Sequence, residues 1–143
     1  MDRILKGELI TAAIQARKNA YAPYSGYYVG AALLCDDGEI VTGCNVENAS
    51  YGATNCAERT AVFKAVSEGE RSFKAIAIAG GKHSENEDEM LDYAYPCGVC
   101  RQVLREFCVP NEMVVIVCRS ENDYKEMTLE ELLPNSFGPE NLE

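Results

Sequence analysis

Two short apolar runs, residues 73–79 and 113–118, constrain the fold of this chain more than any other feature. Both have the length of a strand and are apolar almost throughout, which is typical of strands that are buried on both faces of a sheet. Between them, residues 97–107 have the pattern of a helix. A helix that crosses between two buried strands implies that the strands are parallel. The chain is therefore predicted to be an α/β protein.

The first third of the chain predicts a helix followed by a hairpin. Apolar residues at steps of three and four within residues 4–20 indicate an amphipathic helix that ends before Pro23. Residues 27–35 and 39–44 are rich in β-prone side chains, and residues 36–38, Asp-Asp-Gly, have turn chemistry. We therefore expect two antiparallel strands after the first helix.

Two further helices and two loops are predicted in the rest of the chain. Residues 56–68 have a buried apolar stripe and indicate a helix, and Thr128 with Glu131 forms a capping box for a short one. Residues 45–55 are polar and small, which indicates a loop. Residues 80–95 include five acids in eight residues and are predicted to form a solvated surface loop.

Length, charge and cysteine content restrict the function. The 143 residues fit one domain, residues 1–143, and the net charge of −10 argues against a nucleic-acid partner, because binding to phosphates depends on Lys and Arg. No apolar stretch is long enough for a membrane span, and the N-terminus lacks the apolar core of a secretory signal. The odd count of seven cysteines argues against a secreted disulfide scaffold. We therefore expect a cytoplasmic protein with free thiols and a small neutral or cationic ligand.

Three cysteines at the starts of two predicted helices suggest a metal site. Cys97 and Cys100 have the spacing at which two thiols bind one tetrahedral zinc, and Cys56 begins the other helix 41 residues upstream. Partial positive charge at two helix N-termini would offset the charge of three thiolates. Three protein ligands leave a fourth position for water, which is the arrangement of a catalytic zinc site.

Other interpretations of these cysteines stay open from the residues alone. A Cys-x-x-Cys pair at a helix N-terminus is also typical of a thiol redox site, since the helix lowers the pKa of the thiol. Cys44 is a candidate fourth ligand, which would make the zinc site structural, whereas Cys108 lies two turns beyond Cys100 and cannot join it. His83, the single histidine, is predicted to be a surface residue, so a histidine-based nucleophilic triad is not expected.

Glu58 and Arg59 follow Cys56 and extend the hypothesis from a metal site to an enzyme. A glutamate close to zinc and water can accept a proton and return it to a leaving group. Positions two apart on a regular helix point to nearly opposite sides, so Cys56 must lie at the opening edge of the helix for both side chains to reach one pocket. Arg59 could donate hydrogen bonds to a sulfur. Each residue could instead be an ordinary first-turn helix residue.

The pattern Cys56-x-Glu58 followed by Pro96-Cys97-x-x-Cys100 resembles the zinc-deaminase signature, with cysteine as the first ligand. Three further blocks, and the residues around both halves of this motif, agree in the same order along nearly the whole chain. With these blocks the chain closely resembles the small, homotetrameric cytidine deaminases of nucleoside salvage. The blocks are Tyr21-Ala-Pro-Tyr-Ser25, Gly43-Cys-Asn-Val-Glu-Asn-Ala-Ser-Tyr51, Asn55-Cys-Ala-Glu-Arg-Thr60 and Glu130-Glu-Leu-Leu-Pro134, together with Pro96-Cys-Gly-Val-Cys-Arg-Gln102.

The resemblance implies a fold, a cofactor and a reaction. The fold would be a three-layer α/β/α arrangement with a mixed five-stranded sheet. One Zn²⁺ per chain would be held by Cys56, Cys97 and Cys100. Glu58 would move protons during hydrolytic attack at C4 of cytosine, which releases ammonia and converts cytidine and 2′-deoxycytidine to the uridine forms.

The resemblance also implies which residues bind the nucleoside. Asn45 and Glu47 would hydrogen-bond the ribose hydroxyls, and the backbone at Ala57 would help to hold the pyrimidine. Phe137 would reach from one subunit into the site of a neighbour in a homotetramer and stack on the base. Tyr27 stands where the family commonly has a phenylalanine that lines the pocket, which adds a hydroxyl that needs a partner.

Four rival functions follow from the same residues. A deaminase of a related aminopyrimidine nucleoside, such as blasticidin S, would share the zinc motif, although Asn45-x-Glu47 argues against it. A polynucleotide-editing deaminase would need a basic and aromatic channel, which the acidic composition disfavours. A thiol redox protein or a structural zinc module would leave Glu58 and the Asn45-x-Glu47 pair without a role.

Overall fold

The computed structural model describes residues 1–82 and 91–143. His83 and four acids of the predicted acidic loop, Glu85, Glu87, Asp88 and Glu89, lie outside the described residues. The helices are α1 (Arg3–Arg17), α2 (Ala57–Ser67), α3 (Gly98–Arg105) and α4 (Leu129–Leu132), with 3-10 turns at Tyr51–Ala53 and Pro139–Leu142. The strands are β1 (Tyr27–Cys35), β2 (Ile40–Cys44), β3 (Phe73–Lys82), β4 (Leu91–Asp92), β5 (Val114–Ser120) and β6 (Asp123–Thr128).

The strands form one mixed sheet in the order β2-β1-β3-β5-β6, with β4 added to the end of β3. Strands β3 and β5 are parallel, with Ala75 opposite Val114 and Ile78 opposite Val117, and the other pairs are antiparallel. The predicted parallel pair is therefore confirmed. The crossover through α3 explains it, because parallel neighbours cannot be joined by a tight turn.

Helices cover both faces of the sheet, since successive residues of a strand point to opposite sides. On β1, Leu33 packs in the cluster that includes α2 and Leu104 of α3, whereas Leu34 packs with Leu9 of α1 on the other face. The three-layer α/β/α arrangement with a mixed sheet is confirmed.

Two glycines let the helices approach the sheet closely. A Cβ atom at Gly30 would lie 2.1 Å from the carbonyl oxygen of Ala13 in α1, and one at Gly43 would lie 2.5 Å from the backbone nitrogen of Ala61 in α2. Any larger residue there would push the helix away. The N-terminus of α2 is thereby placed at a defined distance from the sheet.

Some elements differ from the sequence prediction. β6 was not predicted, because it is polar and forms an edge strand in which no residue is fully buried. The strand predicted at 73–79 extends to Lys82, and the helix predicted at 97–107 begins at Gly98 and ends at Arg105. The capping box of Thr128 and Glu131 is present as predicted.

Arg17, at the end of α1, is buried although nothing in the local sequence indicates it. Its guanidinium donates hydrogen bonds to the carbonyl oxygens of Tyr28, Gly81 and Lys82, each at 2.9 Å. It thus joins α1 to the start of β1 and the end of β3.

None of the helices among residues 1–82 and 91–143 has the length and apolarity that a membrane crossing requires.

Candidate metal centre and active site

The cysteines at the starts of α2 and α3 are the N-cap residues of these helices. Cys56 has an extended backbone (φ −74°, ψ 156°), as does Cys97 (φ −68°, ψ 168°), and neither side chain forms a capping hydrogen bond. The geometric condition on Cys56 and Glu58 is therefore met, because the helix begins only after Cys56. Both thiols are free to point toward a shared site.

Cys56, Cys97 and Cys100 converge on one point. The Sγ atoms of Cys56 and Cys97 are 3.9 Å apart, and those of Cys97 and Cys100 are 3.5 Å apart. Sulfurs that bind one tetrahedral zinc at about 2.3 Å are separated by about 3.8 Å. All three sulfurs lie within 4.8 Å of one another, and Cys44 and Cys108 do not join this group. The donor set fits zinc with an open fourth position.

Arg59 contacts the metal centre through Cys56. Its Nη2 donates a hydrogen bond to the Cys56 sulfur at 3.2 Å. A hydrogen bond from Cys100 and, after it, the hydrogen bond and charge of Arg59 lower the pKa of the Cys56 thiol to about 5. The bond to Cys56 in turn raises the pKa of Arg59, so this guanidinium stays charged. Cys56 is therefore held as a thiolate, which is the form that binds metal.

The carboxyl group of Glu58 is buried beside these sulfurs, with 5% of the residue exposed. Burial disfavours its charged form and raises its pKa to about 7. A carboxyl group with a pKa near the working pH can both accept and donate a proton. Its position therefore suits a general acid–base role.

A cavity of about 290 Å³ is lined by residues of the metal centre and by polar side chains from other segments. Cys56, Cys97, Ala57 and Glu58 line it together with Ser25, Asn45 and Glu47. Val29 and Ile78 contribute apolar surface to the same cavity. Such a lining suits a ligand that combines a flat ring with a polyol.

The side chain of Asn45 is held by the backbone of β1. Its Oδ1 accepts a hydrogen bond from the Val29 N–H at 2.9 Å, and its Nδ2 donates to the Tyr27 carbonyl at 2.8 Å. Glu47 is held by the preceding turn, where the backbone N–H groups of Tyr24 and Ser25 donate to its Oε1 at 3.0 and 3.1 Å. Both residues line the cavity, and these hydrogen bonds fix the orientation of their side chains there.

Tyr27 lines the cavity and its hydroxyl has a partner. The hydroxyl donates a hydrogen bond to Oδ2 of Asp92, on β4, at 3.3 Å. The hydroxyl that distinguishes this residue from phenylalanine is thus satisfied by Asp92, which lies on β4 although its segment was predicted to be a surface loop.

Phe137 lies apart from these residues. It is 58% exposed and does not line the cavity of its own chain. Gln102 of α3 donates a hydrogen bond from Nε2 to the Phe137 carbonyl at 2.9 Å, and Arg105 binds Ser136 and Glu140 on either side. The C-terminal segment is therefore fixed to α3 with the aromatic ring outward.

Ser25 and Asn55 also line the cavity, although no pattern in the sequence singled out either side chain. Asn55 donates a hydrogen bond to Thr60 Oγ1 at 3.0 Å, and Thr60 donates to the Cys56 carbonyl at 3.2 Å. The only available signal for Ser25 was its place in a turn between Pro23 and Gly26. Contacts between separate segments decide both positions.

The chain is similar to known proteins in sequence and in fold. A family model described as the cytidine and deoxycytidylate deaminase zinc-binding region matches residues 5–117. The cytidine deaminase of Halalkalibacterium halodurans is 49% identical over 142 residues, which are 99% of this chain and 98% of that protein. The cytidine deaminase of Sporosarcina psychrophila is 49% identical over 135 residues, 94% of this chain and 93% of that protein. A crystal structure of cytidine deaminase from Burkholderia pseudomallei has a TM-score of 0.79 at 46% identity and covers 91% of this chain and 97% of its own.

Proposed function

The chain belongs to the cytidine and deoxycytidylate deaminase family, and from that premise we propose that it hydrolyses cytidine and 2′-deoxycytidine to the uridine forms and ammonia. The observation that carries the proposal is one cavity lined by Glu58, by two of the three convergent cysteines and by Asn45 and Glu47. A thiol redox site would have no need of a buried carboxyl group or of polar side chains in the same cavity. A structural zinc site would have no need of a cavity.

Zinc fits the three thiolates of Cys56, Cys97 and Cys100, and when bound it supplies the Lewis acidity that makes water nucleophilic near neutral pH. Glu58 accepts the two protons of the attacking water in turn and delivers one to N3 of the ring and the other to the amino group, which leaves C4 as ammonia. Its pKa of about 7 matches this double role. Arg59 keeps Cys56 in the thiolate form by its hydrogen bond to the sulfur.

The rest of the cavity places the nucleoside. Val29 and Ile78 pack against the pyrimidine, and the backbone at Ala57 holds its polar edge. Asn45 and Glu47 bind the sugar hydroxyls, and Tyr27 forms a side wall that Asp92 holds in place. Charge complementarity is not needed, because the substrate is neutral.

Assembly and cellular role form part of the same proposal. The chain forms a homotetramer with one zinc per chain, acts in the cytoplasm and contributes to pyrimidine salvage. The outward position of Phe137, on a segment fixed by α3, supports a role in a neighbouring subunit. Its ring would stack on the base bound by that neighbour.

Ammonia release from the zinc-loaded protein tests the function directly. We expect turnover of cytidine and 2′-deoxycytidine, and none of free cytosine, which has no sugar for Asn45 and Glu47 to bind. Blasticidin S serves as the alternative substrate, and its deamination in preference to cytidine would replace the proposed substrate class.

Glu58→Ala tests the mechanism within the same assay. We expect this variant to retain zinc and to lose at least about 100-fold in kcat, the lower range for a general acid–base. Glu68→Ala, an exposed carboxylate at the end of α2, is the matched control and should behave as the parent protein. Full turnover by Glu58→Ala would rule out the proposed proton transfer.

A further inference from the structure

The turn that precedes β1 encloses the carboxylate of Glu47. Gly26 closes this turn with φ +68°, and its N–H donates to the Ala22 carbonyl at 3.0 Å. The turn aims two successive backbone N–H groups, those of Tyr24 and Ser25, at Oε1 of Glu47. Convergent amides of this kind form a concave site for an anion.

The hydroxyl of Ser25 contacts Oε2, the other oxygen of the Glu47 carboxylate. It donates a hydrogen bond to Oε2 of Glu47, and it accepts one from the N–H of Tyr27 at 3.0 Å. A serine hydroxyl has a single proton to donate. Because the Tyr27 N–H occupies its acceptor side, that proton is directed to Glu47.

These contacts decide what Glu47 can offer a ligand. A carboxylate has about four acceptor positions, and three are taken by donors from the turn. The Ser25 hydroxyl is also the main cause of the lowered pKa of Glu47, so the group stays ionised at neutral pH. The side chain therefore presents one acceptor position to the cavity in a fixed direction.

We propose that Ser25 is a positioning residue, whose hydroxyl orients Glu47 to accept a hydrogen bond from a sugar hydroxyl of the substrate. The proposal rests on the proposed function, in which Glu47 binds the sugar. Without the Ser25 hydroxyl, the Glu47 side chain can rotate about its bonds. Substrate binding would then have to order this side chain, and the entropy cost would weaken binding. The expected effect is a higher KM for nucleosides that carry the sugar hydroxyls.

Steady-state kinetics of Ser25→Ala and Ser25→Thr with three nucleosides test the proposal. For cytidine and 2′-deoxycytidine, we expect Ser25→Ala to raise KM about 10-fold with little change in kcat, and Ser25→Thr to recover most of the loss, because it retains the donor. For 2′,3′-dideoxycytidine, which lacks both hydroxyls at that edge, Ser25→Ala should change KM by less than about twofold. Ser67→Ala, an exposed serine at the far end of α2, is the matched control.

A Glu47→Gln background separates positioning from other roles. If Ser25 acts through Glu47, the double variant Ser25→Ala/Glu47→Gln should have nearly the same KM as Glu47→Gln. If Ser25 contacts the substrate directly, adding Ser25→Ala should raise KM by the same factor as in the parent protein. An equal rise in KM for all three nucleosides, or no rise for cytidine, overturns the proposal. Thermal unfolding shows whether Ser25→Ala is folded. If it is not, the proposal is overturned when the KM of Ser25→Thr differs clearly from that of the parent protein. Absence of nucleoside turnover in the parent protein would instead refute the proposed function.

Discussion

Arg59 is the residue on which the charge of the metal centre depends most directly. Three thiolates and one Zn²⁺ sum to −1, and the guanidinium of Arg59 lies 3.2 Å from the sulfur of Cys56. The helix N-termini supply further partial positive charge. The sequence suggested this contact only as one option, since a first-turn arginine often has no such role.

Arg59→Gln is expected to weaken zinc retention by about tenfold, because partners of metal ligands typically contribute 10–100-fold to affinity. The physical reason is that the pKa of Cys56 rises when the guanidinium is lost, so protons compete better with the metal. Competition with a chromogenic chelator at several pH values measures the effect, which should grow as the pH falls.

Arg119→Gln controls for the loss of one positive charge, since Arg119 is an exposed residue of β5 that contacts Tyr93 and Asp123. Equal zinc retention in Arg59→Gln and the parent protein at all pH values would contradict the assigned role.

At the scale of elements, the placement of α2 on the sheet determines the site. The backbone of α2 contacts β2 at Gly43, and the N-terminus of the same helix carries Cys56, Ala57 and Glu58. A shift of α2 would move Cys56 relative to the two cysteines of α3. The packing at Gly43 and the metal geometry are therefore linked.

Gly43→Ala is expected to lower the free energy of unfolding by about 2 kcal/mol, because overpacking of a tight contact costs about 1–3 kcal/mol. The added methyl group would lie 2.5 Å from Ala61 N and 2.7 Å from the Ala57 carbonyl, so α2 must move. Urea unfolding measures the loss, and zinc content should fall with it.

Gly52→Ala is the matched control, since a Cβ atom there meets nothing within 4 Å. Comparable unfolding midpoints and zinc contents for the two alanine variants would show that the Gly43 contact does not set the position of α2.

At the scale of the whole molecule, Phe137 tests the proposed homotetramer, in which a neighbouring chain would complete each site. The ring is exposed and absent from the cavity, while Arg105 and Gln102 fix the segment around it. An exposed aromatic on a rigid segment is suited to contact a second chain. Leu142, 79% exposed on the same tail, offers a matched apolar control.

Phe137→Ala is expected to lower kcat/KM for cytidine about tenfold while zinc content is unchanged, because stacking of an aromatic ring on a base contributes about 1–3 kcal/mol. Mixed assembly sharpens the test. Chains with Phe137→Ala retain Glu58, and chains with Glu58→Ala retain Phe137, so hybrids should have a higher kcat/KM per intact Glu58 than Phe137→Ala has alone.

Leu142→Ala should retain the activity of the parent protein. No recovery in hybrids whose mixed composition is verified by mass spectrometry, or parental kinetics in an intact Phe137→Ala oligomer, would exclude a shared site.

Local sequence patterns were sufficient for most of the fold and for one end of the site. The apolar runs of β3 and β5 with the helix between them predicted the parallel pair, since burial on both faces leaves a continuous apolar pattern. The Cys-x-Glu and Cys-x-x-Cys motifs placed three thiols and one carboxyl group at helix starts. These predictions succeeded because helix N-termini and buried strands depend on residues that are close together in the chain.

Only the tertiary structure decided the features that join distant segments. The polar strand β6 has no periodic apolar pattern, and its pairing with β5 alone defines it. Arg17 is buried because it binds carbonyl groups 11, 64 and 65 residues away. The Ser25–Glu47 contact spans 22 residues. Hydrogen bonds of this kind depend on where the backbone places each donor, which residue types in sequence order do not specify. The sequence motifs therefore determined the cluster of three cysteines and Glu58, whereas the fold determined how Glu47 is held.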